Sequence, residues 1–459
     1  MRLRRSALKV FVFACAAMAA SHAYAAGRST SAKEDYNQEP LPPGFQVIAT
    51  ELEGPVFADA QGRTIYKWPK KALRNGDAGE LQNKPTCDYE VHRENAGLMS
   101  PYPGGLEMPE VETRPACATA WPPVFAGDDA KPIGKWTVIA RPDGRKQWAY
   151  DEWPLYTSFL DKRPGDVLGA TALFHVAETG VERIPVMPKP KVPSQFLVVT
   201  TMTGRMITQR DGWSVYSYDR DGTNKSNCYN ACLDGWTAVT APAYARPIGE
   251  WTTFERAPGI HQWAFRGKPV YRYNTDAKIV GQDGSENPGW HNLYTQTAPA
   301  VPKGFVMKDT MVGVVLGDYR GMTIYRYACT DDALDQLACD YPEAPQAYRF
   351  AVCGSGKETE KCSQIFPYVI APAGATSGNT VWSTLYIDPK TGKRAAANQP
   401  GALNVWAFRG RPVYTFAGVR GYGDKTTTDI LAMAWGEFDG NRNGYRAMVY
   451  RDLFSRRDE

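Results

Sequence analysis

Three times along this chain one passage recurs: Pro-x-x-Phe, a Tyr-x-aromatic triplet some twenty residues later, a cysteine, then a Trp-Ala-aromatic strand leading to another tyrosine. The openings are Pro42, Phe45 and Tyr66-Lys67-Trp68; Pro193, Phe196 and Tyr216-Ser217-Tyr218; and Pro302, Phe305 and Tyr325-Arg326-Tyr327. The closings are Trp148-Ala149-Tyr150 before Tyr156, Trp263-Ala264-Phe265 before Tyr271, and Trp406-Ala407-Phe408 before Tyr414. Internal repetition constrains architecture before any local reading does, because each copy must solve the same packing problem. Three tandem modules are expected.

Within each module the pattern reads as short strands. Gly44 to Ala49, Gly54 to Ala58 and Thr64 to Trp68 are rich in aromatic and β-branched residues, and Asp59-Ala60-Gln61-Gly62 supplies a turn. The second half continues with Trp136 to Ala140, Lys146 to Tyr150 and Leu155 to Ser158, matched in the next module by Trp251 to Phe254, Gln262 to Phe265 and Val270 to Tyr273. Long helical periodicity is absent, and 34 prolines with 42 glycines suit a loop-rich chain. The expected fold is all-β: three β-meander or small-barrel or sandwich-like modules with long loop insertions and disulfides. Residues 42–184, 193–298 and 299–459 are the modules, the last with a C-terminal extension. Residues 26–41 form an N-terminal linker and 185–192 a stiff proline-rich one. Insertions at 70–115 and 328–361 enlarge the outer modules.

The first 25 residues read as a cleavable signal peptide: Arg2, Arg4, Arg5 and Lys9, an apolar run from Val10 to Ala20, and Ala23-Tyr24-Ala25 as the cleavage site. Nothing after it approaches the roughly 18–20 consecutive apolar residues a membrane-spanning helix needs. A periplasmic or secreted location follows, with peripheral envelope association open and lipidation at Cys15 a competing reading of the leader. Four of the 53 basic residues lie in this leader, so 49 face 49 acidic ones in the mature chain. That neutrality argues against a nucleic-acid partner.

Eight of the nine cysteines remain after the leader. An even number in an exported chain favours disulfides. Cys117, Cys232 and Cys362 precede matching stretches, so the repeat favours Cys87 with Cys117, Cys228 with Cys232, and Cys353 with Cys362, leaving Cys329 with Cys339. Each closes a loop inside its own module, worth about 2–4 kcal/mol. The Cys228-x-x-x-Cys232 spacing fits neither a redox pair nor a zinc set.

The recurrent motif supports one resemblance. Tyr216-Ser217-Tyr218-Asp219-Arg220-Asp221 and Tyr271-Arg272-Tyr273-Asn274-Thr275-Asp276, with a cysteine and a tryptophan between them, resemble the bacterial secreted repeat of predicted lipoproteins that carries Tyr-x-(Phe/Trp/Tyr)-x-x-Asp. In the first module Cys117 and Trp121-Pro122-Pro123 match, but Lys70-Lys71 stand where acid is expected; in the third, Phe366 replaces the tryptophan and Tyr414-Thr415-Phe416-Ala417-Gly418-Val419 lacks the aspartate. The resemblance implies an exported β-rich repeat of unestablished activity. It names no substrate and transfers no catalytic residue.

Chemistry-bearing patterns are sparse. The four mature histidines, His92, His175, His261 and His291, form no helical metal pattern, and neither a Gly-x-Ser-x-Gly elbow nor a phosphate loop occurs. His261 reads as a strand residue and His291 as a loop residue. Asp439, Asn441 and Asn443, followed by Gly444, have the oxygen spacing of the first half of a calcium loop, although its twelfth position is Tyr450. Asp219 to Asn224 is a similar oxygen-rich turn, and Asp, Asn and Gly also make turns for conformational reasons alone. No other cofactor is expected. The equivalent tryptophans Trp148, Trp263 and Trp406 read as core, whereas Trp153, Trp290, Trp382 and Trp435 read as surface candidates. The function expected is a non-catalytic binding protein for a protein or glycan of the envelope; the alternative is an accessory redox or electron-transfer protein or oxidoreductase subunit in the periplasm. An enzyme site assembled by the insertions stays open.

Overall fold

The computed structural model describes residues 34–67, 83–85, 87, 117–170, 183–276, 279–310, 313–327, 363–417 and 445–451. Residues 31–459 form one compact unit. It is nearly all β, with antiparallel pairing throughout the described sheets. No helix among the described residues is long and apolar enough to cross a membrane.

Each module is two copies of one smaller device, a hairpin followed by a short strand. In module one the first hairpin pairs Gln46–Ala49 with Pro55–Ala58 and leads to Tyr66–Lys67; the second pairs Trp136–Ala140 with Lys146–Tyr150 and leads to Trp153–Tyr156. The two short strands then pair with each other, so that Tyr66 faces Tyr156. Module two repeats this with Tyr216 opposite Tyr271, and module three with Tyr325 opposite Tyr414. A last strand closes the other side of each first tyrosine: Pro185, Asn292 and Ala447. Pro185, expected to begin a linker, is thus a strand residue of the module-one sheet, and the backbone of Val186 bonds to Ile65 and Phe57.

Turn chemistry explains the second reversals. Arg266-Gly267 and Arg409-Gly410 have positive φ at both positions (50° and 73°, 48° and 70°), and Asp151-Glu152 does the same without glycine (54° and 71°). Two consecutive left-handed residues match the twist of a tight hairpin.

The repeated Pro-x-x-Phe is a β-turn that delivers a phenylalanine between two tryptophans. The phenylalanine N–H donates to the proline carbonyl in all three copies, at 3.0, 2.9 and 3.1 Å. Phe45 then meets Trp136 and Trp148 edge-on at 5.3 and 5.9 Å; Phe196 meets Trp251 and Trp263 at 4.2 and 6.1 Å; Phe305 meets Trp382 and Trp406 at 5.3 and 5.7 Å. Such pairs contribute about 0.5–1.5 kcal/mol each beyond the area they bury. Trp382 is therefore the third-module counterpart of Trp136 and Trp251, and at 2% exposure it is core, contrary to its reading as a surface residue. Trp290, on the strand Trp290–Asn292, is buried too. Trp153 is half-buried, and Trp435 lies outside the described residues.

The hairpin tips tie the modules together. Leu52 from module one and Met202 from module two pack in the core cluster that contains Trp382 and Trp406. The buried Glu34 carboxylate accepts from Arg205 Nε at 3.0 Å, Arg205 Nη2 at 2.8 Å and the Thr295 hydroxyl. Arg409 of module three forms a second buried ion pair with Glu53. Buried charges are tolerated only with partners in place, so these pairs hold the modules in one arrangement.

Candidate ligand groove and the motif core

The Tyr-x-aromatic-x-x-Asp motif is a crossed pair of hydrogen bonds. Because the two motif strands of a module run antiparallel, each tyrosine points toward the loop that follows the other strand. In module two the Tyr216 hydroxyl donates to Asp276 (Oδ1 2.7 Å, Oδ2 2.9 Å), and the Tyr271 hydroxyl donates to Asp221 Oδ2 at 2.7 Å. The tyrosine of the first copy is thus satisfied by the aspartate of the second, and the reverse. In module one Tyr66 donates to Asp161 Oδ2 at 2.7 Å, Asp161 standing five residues after Tyr156. The residue five positions after Tyr66 is Lys71, which lies outside the described residues.

Two glycines complete this arrangement, and sequence reasoning missed both. Gly169 N donates to the Tyr66 hydroxyl at 3.2 Å and Gly284 N to the Tyr216 hydroxyl at 3.3 Å. A Cβ at either position would lie 2.9 or 2.7 Å from the tyrosine ring, too close for any other residue. Each stands eight residues after its motif aspartate, so Asp-x₇-Gly was a recoverable signal.

Burial dominates the electrostatics. It pushes Asp161 up to about 8, with the Tyr66 hydrogen bond opposing it, and Asp276 up to about 6. Asp221 is raised by burial as well. Burial pushes Tyr271 up to about 12 and raises Tyr66 and Tyr216 further. These tyrosines hold their protons at neutral pH and act as fixed donors, not as nucleophiles or bases.

Around Tyr271 the network continues. Ser226 Oγ lies 2.8 Å from the Tyr271 hydroxyl, Arg256 Nη1 donates to Ser226 Oγ at 2.7 Å and to Gln262 Oε1 at 2.8 Å, and Arg256 Nη2 donates to the Cys228 carbonyl. Cys228 and Cys232 are disulfide-bonded with Cα atoms 5.1 Å apart. Cys87 is buried and disulfide-bonded, while the side chain of Cys117 and the whole of Cys329, Cys339, Cys353 and Cys362 lie outside the described residues. The donors named here are matched inside the protein, which makes this network part of the core.

The other candidate residues divide plainly. Tyr218 and Tyr273 flank stacked Trp290 and Trp236, whose rings lie 3.5 Å apart, and Tyr327 and Phe416 line the corresponding core of module three. Asp219 is engaged by exposed His291 at 2.9 Å, which stands on a strand and not in a loop. Asp221 is taken by Tyr271 and the Asn227 N–H, so the 219–224 turn has its oxygens occupied by hydrogen-bond donors. Trp68, His92, His175, Asp439, Asn441 and Asn443 lie outside the described residues. Among the described residues no cluster of three His, Cys, Asp or Glu side chains could hold a metal ion.

Among the described residues a sizeable concavity is open on module one. Its walls are the opening turn (Pro43, Phe45), the Asp59–Arg63 hairpin turn and the 123–133 segment, with Trp148 on its floor; its volume is about 800 Å³. That is within the usual range for a ligand site. Phe125, 44% exposed, stands at its rim with the Arg145 guanidinium 4.3 Å from its ring centre and Arg141 at 5.7 Å. Asp59 is held by Arg63, whose Nε donates at 2.8 Å, while Asp129 and Lys131 add one charge of each sign to the lining. Module three has a smaller counterpart of about 200 Å³ beneath Ile370, the residue that corresponds to Phe125.

Two segments of the chain, 137–172 and 197–240, match a family described as a secreted repeat of unknown function. Each matched segment holds one hairpin with its motif tyrosine and aspartate, Tyr156 with Asp161 in the first and Tyr216 with Asp221 in the second. The matched unit is therefore half of a module. No curated protein and no solved structure matches the chain.

Proposed function

We propose that this protein is exported to the periplasm or beyond and works as a non-catalytic binding protein, with the groove on module one as its ligand site and another envelope protein as its partner. The observation that carries the reading is a contrast in occupancy. The module-two motif residues Tyr216, Asp221, Tyr271 and Asp276 are buried and bonded to one another, whereas the module-one groove is large and lined by residues from three separate loops. Loops held by a rigid β framework are where binding surfaces are built. The description of the matched repeat as secreted supports the export reading, as does the leader of the sequence.

A photo-crosslinking amino acid placed at Lys131, on the groove, is compared in the native host with one at Tyr244, which is 83% exposed and belongs to module two. The expected result is a discrete covalent adduct from position 131 that is absent from position 244, identified by mass spectrometry. Equal adduct patterns from the two positions, or none from 131, overturn the groove as the binding site.

A further inference from the structure

The three opening turns differ at their second and third residues, and the third bears on what the module-one groove is shaped to hold. In module two the third residue of the turn is Gln195, whose Oε1 accepts the Trp263 indole N–H at 2.5 Å. Its counterparts are Gly44 and Gly304, both with positive φ (83° and 95°), whereas Gln195 lies in ordinary backbone. A type II turn requires φ > 0 at this position and so favours glycine, which removes the capping side chain. At Gly44 even a Cβ would stand 3.1 Å from Ala60 Cβ. The tryptophan equivalent to Trp263 in module one is Trp148: each packs edge-on against its turn phenylalanine, at 5.9 and 6.1 Å. Trp148 lines the groove, and its indole N–H has no acceptor among the described residues. An indole N–H at the groove wall is a donor that a ligand's acceptor can meet, so the site favours a ligand that brings one.

We propose that the groove on module one binds an extended polypeptide segment that presents a glutamine or asparagine side chain, whose carboxamide oxygen accepts from Trp148 Nε1 as Gln195 does from Trp263. This rests on the groove being the binding site. The occupant in module two is itself a glutamine carboxamide, which is the direct precedent within the chain. The aromatic faces favour a peptide over a sugar: one face of Phe125 is taken by Arg145, Phe45 is directed at two tryptophans, and Trp148 is only 5% exposed, which leaves little ring face for a sugar to stack on. Prolines 43, 123 and 132 on the lining give a rigid apolar surface for an extended backbone.

The test is a titration of the intact mature protein, labelled with ¹⁵N at its tryptophan indoles, with the peptide acetyl-Ala-Gln-Pro-Ala-amide and its leucine and glutamate counterparts. Trp148→Phe assigns the reporting signal and removes the donor while keeping an aromatic ring; Gln195→Ala, which frees the Trp263 N–H, calibrates the shift that this hydrogen bond produces. The glutamine peptide is expected to move the Trp148 signal toward the Gln195-bonded position of Trp263 and to leave Trp263 itself unmoved. The leucine peptide and the Trp148→Phe protein are expected to bind about tenfold more weakly. Equal binding of the glutamine and leucine peptides overturns the carboxamide assignment while leaving the groove as the binding site. A response to chito-oligosaccharide with none to any peptide overturns the polypeptide occupant, and no response to either overturns the proposal. The crosslinking comparison at Lys131 reports on the groove independently of all three.

Discussion

Module two and module one are built on the same framework and use it differently. In module two both crossed Tyr–Asp bonds are present, Trp290 stacks on Trp236, and Gln195 caps Trp263. In module one the described bond is Tyr66 to Asp161, the guanidinium of Arg183 replaces the stacked ring at 5.6 Å from Trp121, and Gly44 stands where module two has its capping glutamine. Module three takes a further variant, with Tyr445 stacked on Phe366 at 3.6 Å. The lesson is that the stacking position accepts any flat group, whether indole, phenol or guanidinium, while the hairpin–strand geometry around it stays constant. Module two caps its second tryptophan with its own turn residue, and module one keeps the framework without that cap.

The largest effects should come from the shared framework and be alike in the modules compared. Trp136→Ala, Trp251→Ala and Trp382→Ala each remove a fully packed indole and are expected to cost about 3–5 kcal/mol in urea unfolding. A Trp382→Ala protein as stable as wild type would break the equivalence of the third module. Next come the motif hydroxyls. Tyr216→Phe removes the hydroxyl donor of the buried Asp276, leaving it the Gly284 N–H, and should cost about 1–3 kcal/mol, and Tyr66→Phe should do the same through Asp161, which keeps the Leu168 N–H. If Tyr216→Phe is neutral, the motif is not the structural device described.

The comparison sharpens with pH. Asp161 in module one holds its proton up to about 8, whereas the unfolded chain releases it near the ordinary carboxylate value of about 4. Between these values the native state binds more protons than the unfolded state, so this group makes stability fall as pH rises through that window. For Asp276 of module two the window ends earlier, at about 6. Asp161→Asn should flatten the decline between pH 6 and 8 and Asp276→Asn should not, as read from urea midpoints across pH; equal flattening by both would contradict the difference. Smallest of all is the exposed pair His291–Asp219, with side chains 60% and 62% exposed. His291→Ala should change stability by less than about 0.5 kcal/mol.

Much of the framework was legible in the sequence. Trp136–Ala140 and Lys146–Tyr150 emerge with the expected bounds, because alternation and flanking turn residues are local signals. The crossing of the motif was not legible, since Tyr216 and Asp276 are 60 residues apart and only the antiparallel pairing of their strands brings them together. Trp290 and Trp382 were misjudged for a related reason: their partners, Trp236 on another strand and Phe305 in the opening turn, are distant in sequence, and a repeat with one residue substituted hides the equivalence. The groove left its trace in the turn, where glycine replaces glutamine, but that trace acquires meaning only once Gln195 is seen against Trp263.

The division of labour between framework and groove is tested most directly by one paired measurement: adduct yield from the Lys131 crosslinker together with the urea midpoint, in Phe125→Ser and in Tyr216→Phe proteins. Phe125→Ser, at an exposed rim position, should lose the adduct and keep its midpoint, while Tyr216→Phe should lower the midpoint and keep the adduct below its unfolding transition. A Tyr216→Phe protein that remains folded and yet loses the adduct, with Phe125→Ser unaffected, would contradict the account and move the function into the motif core.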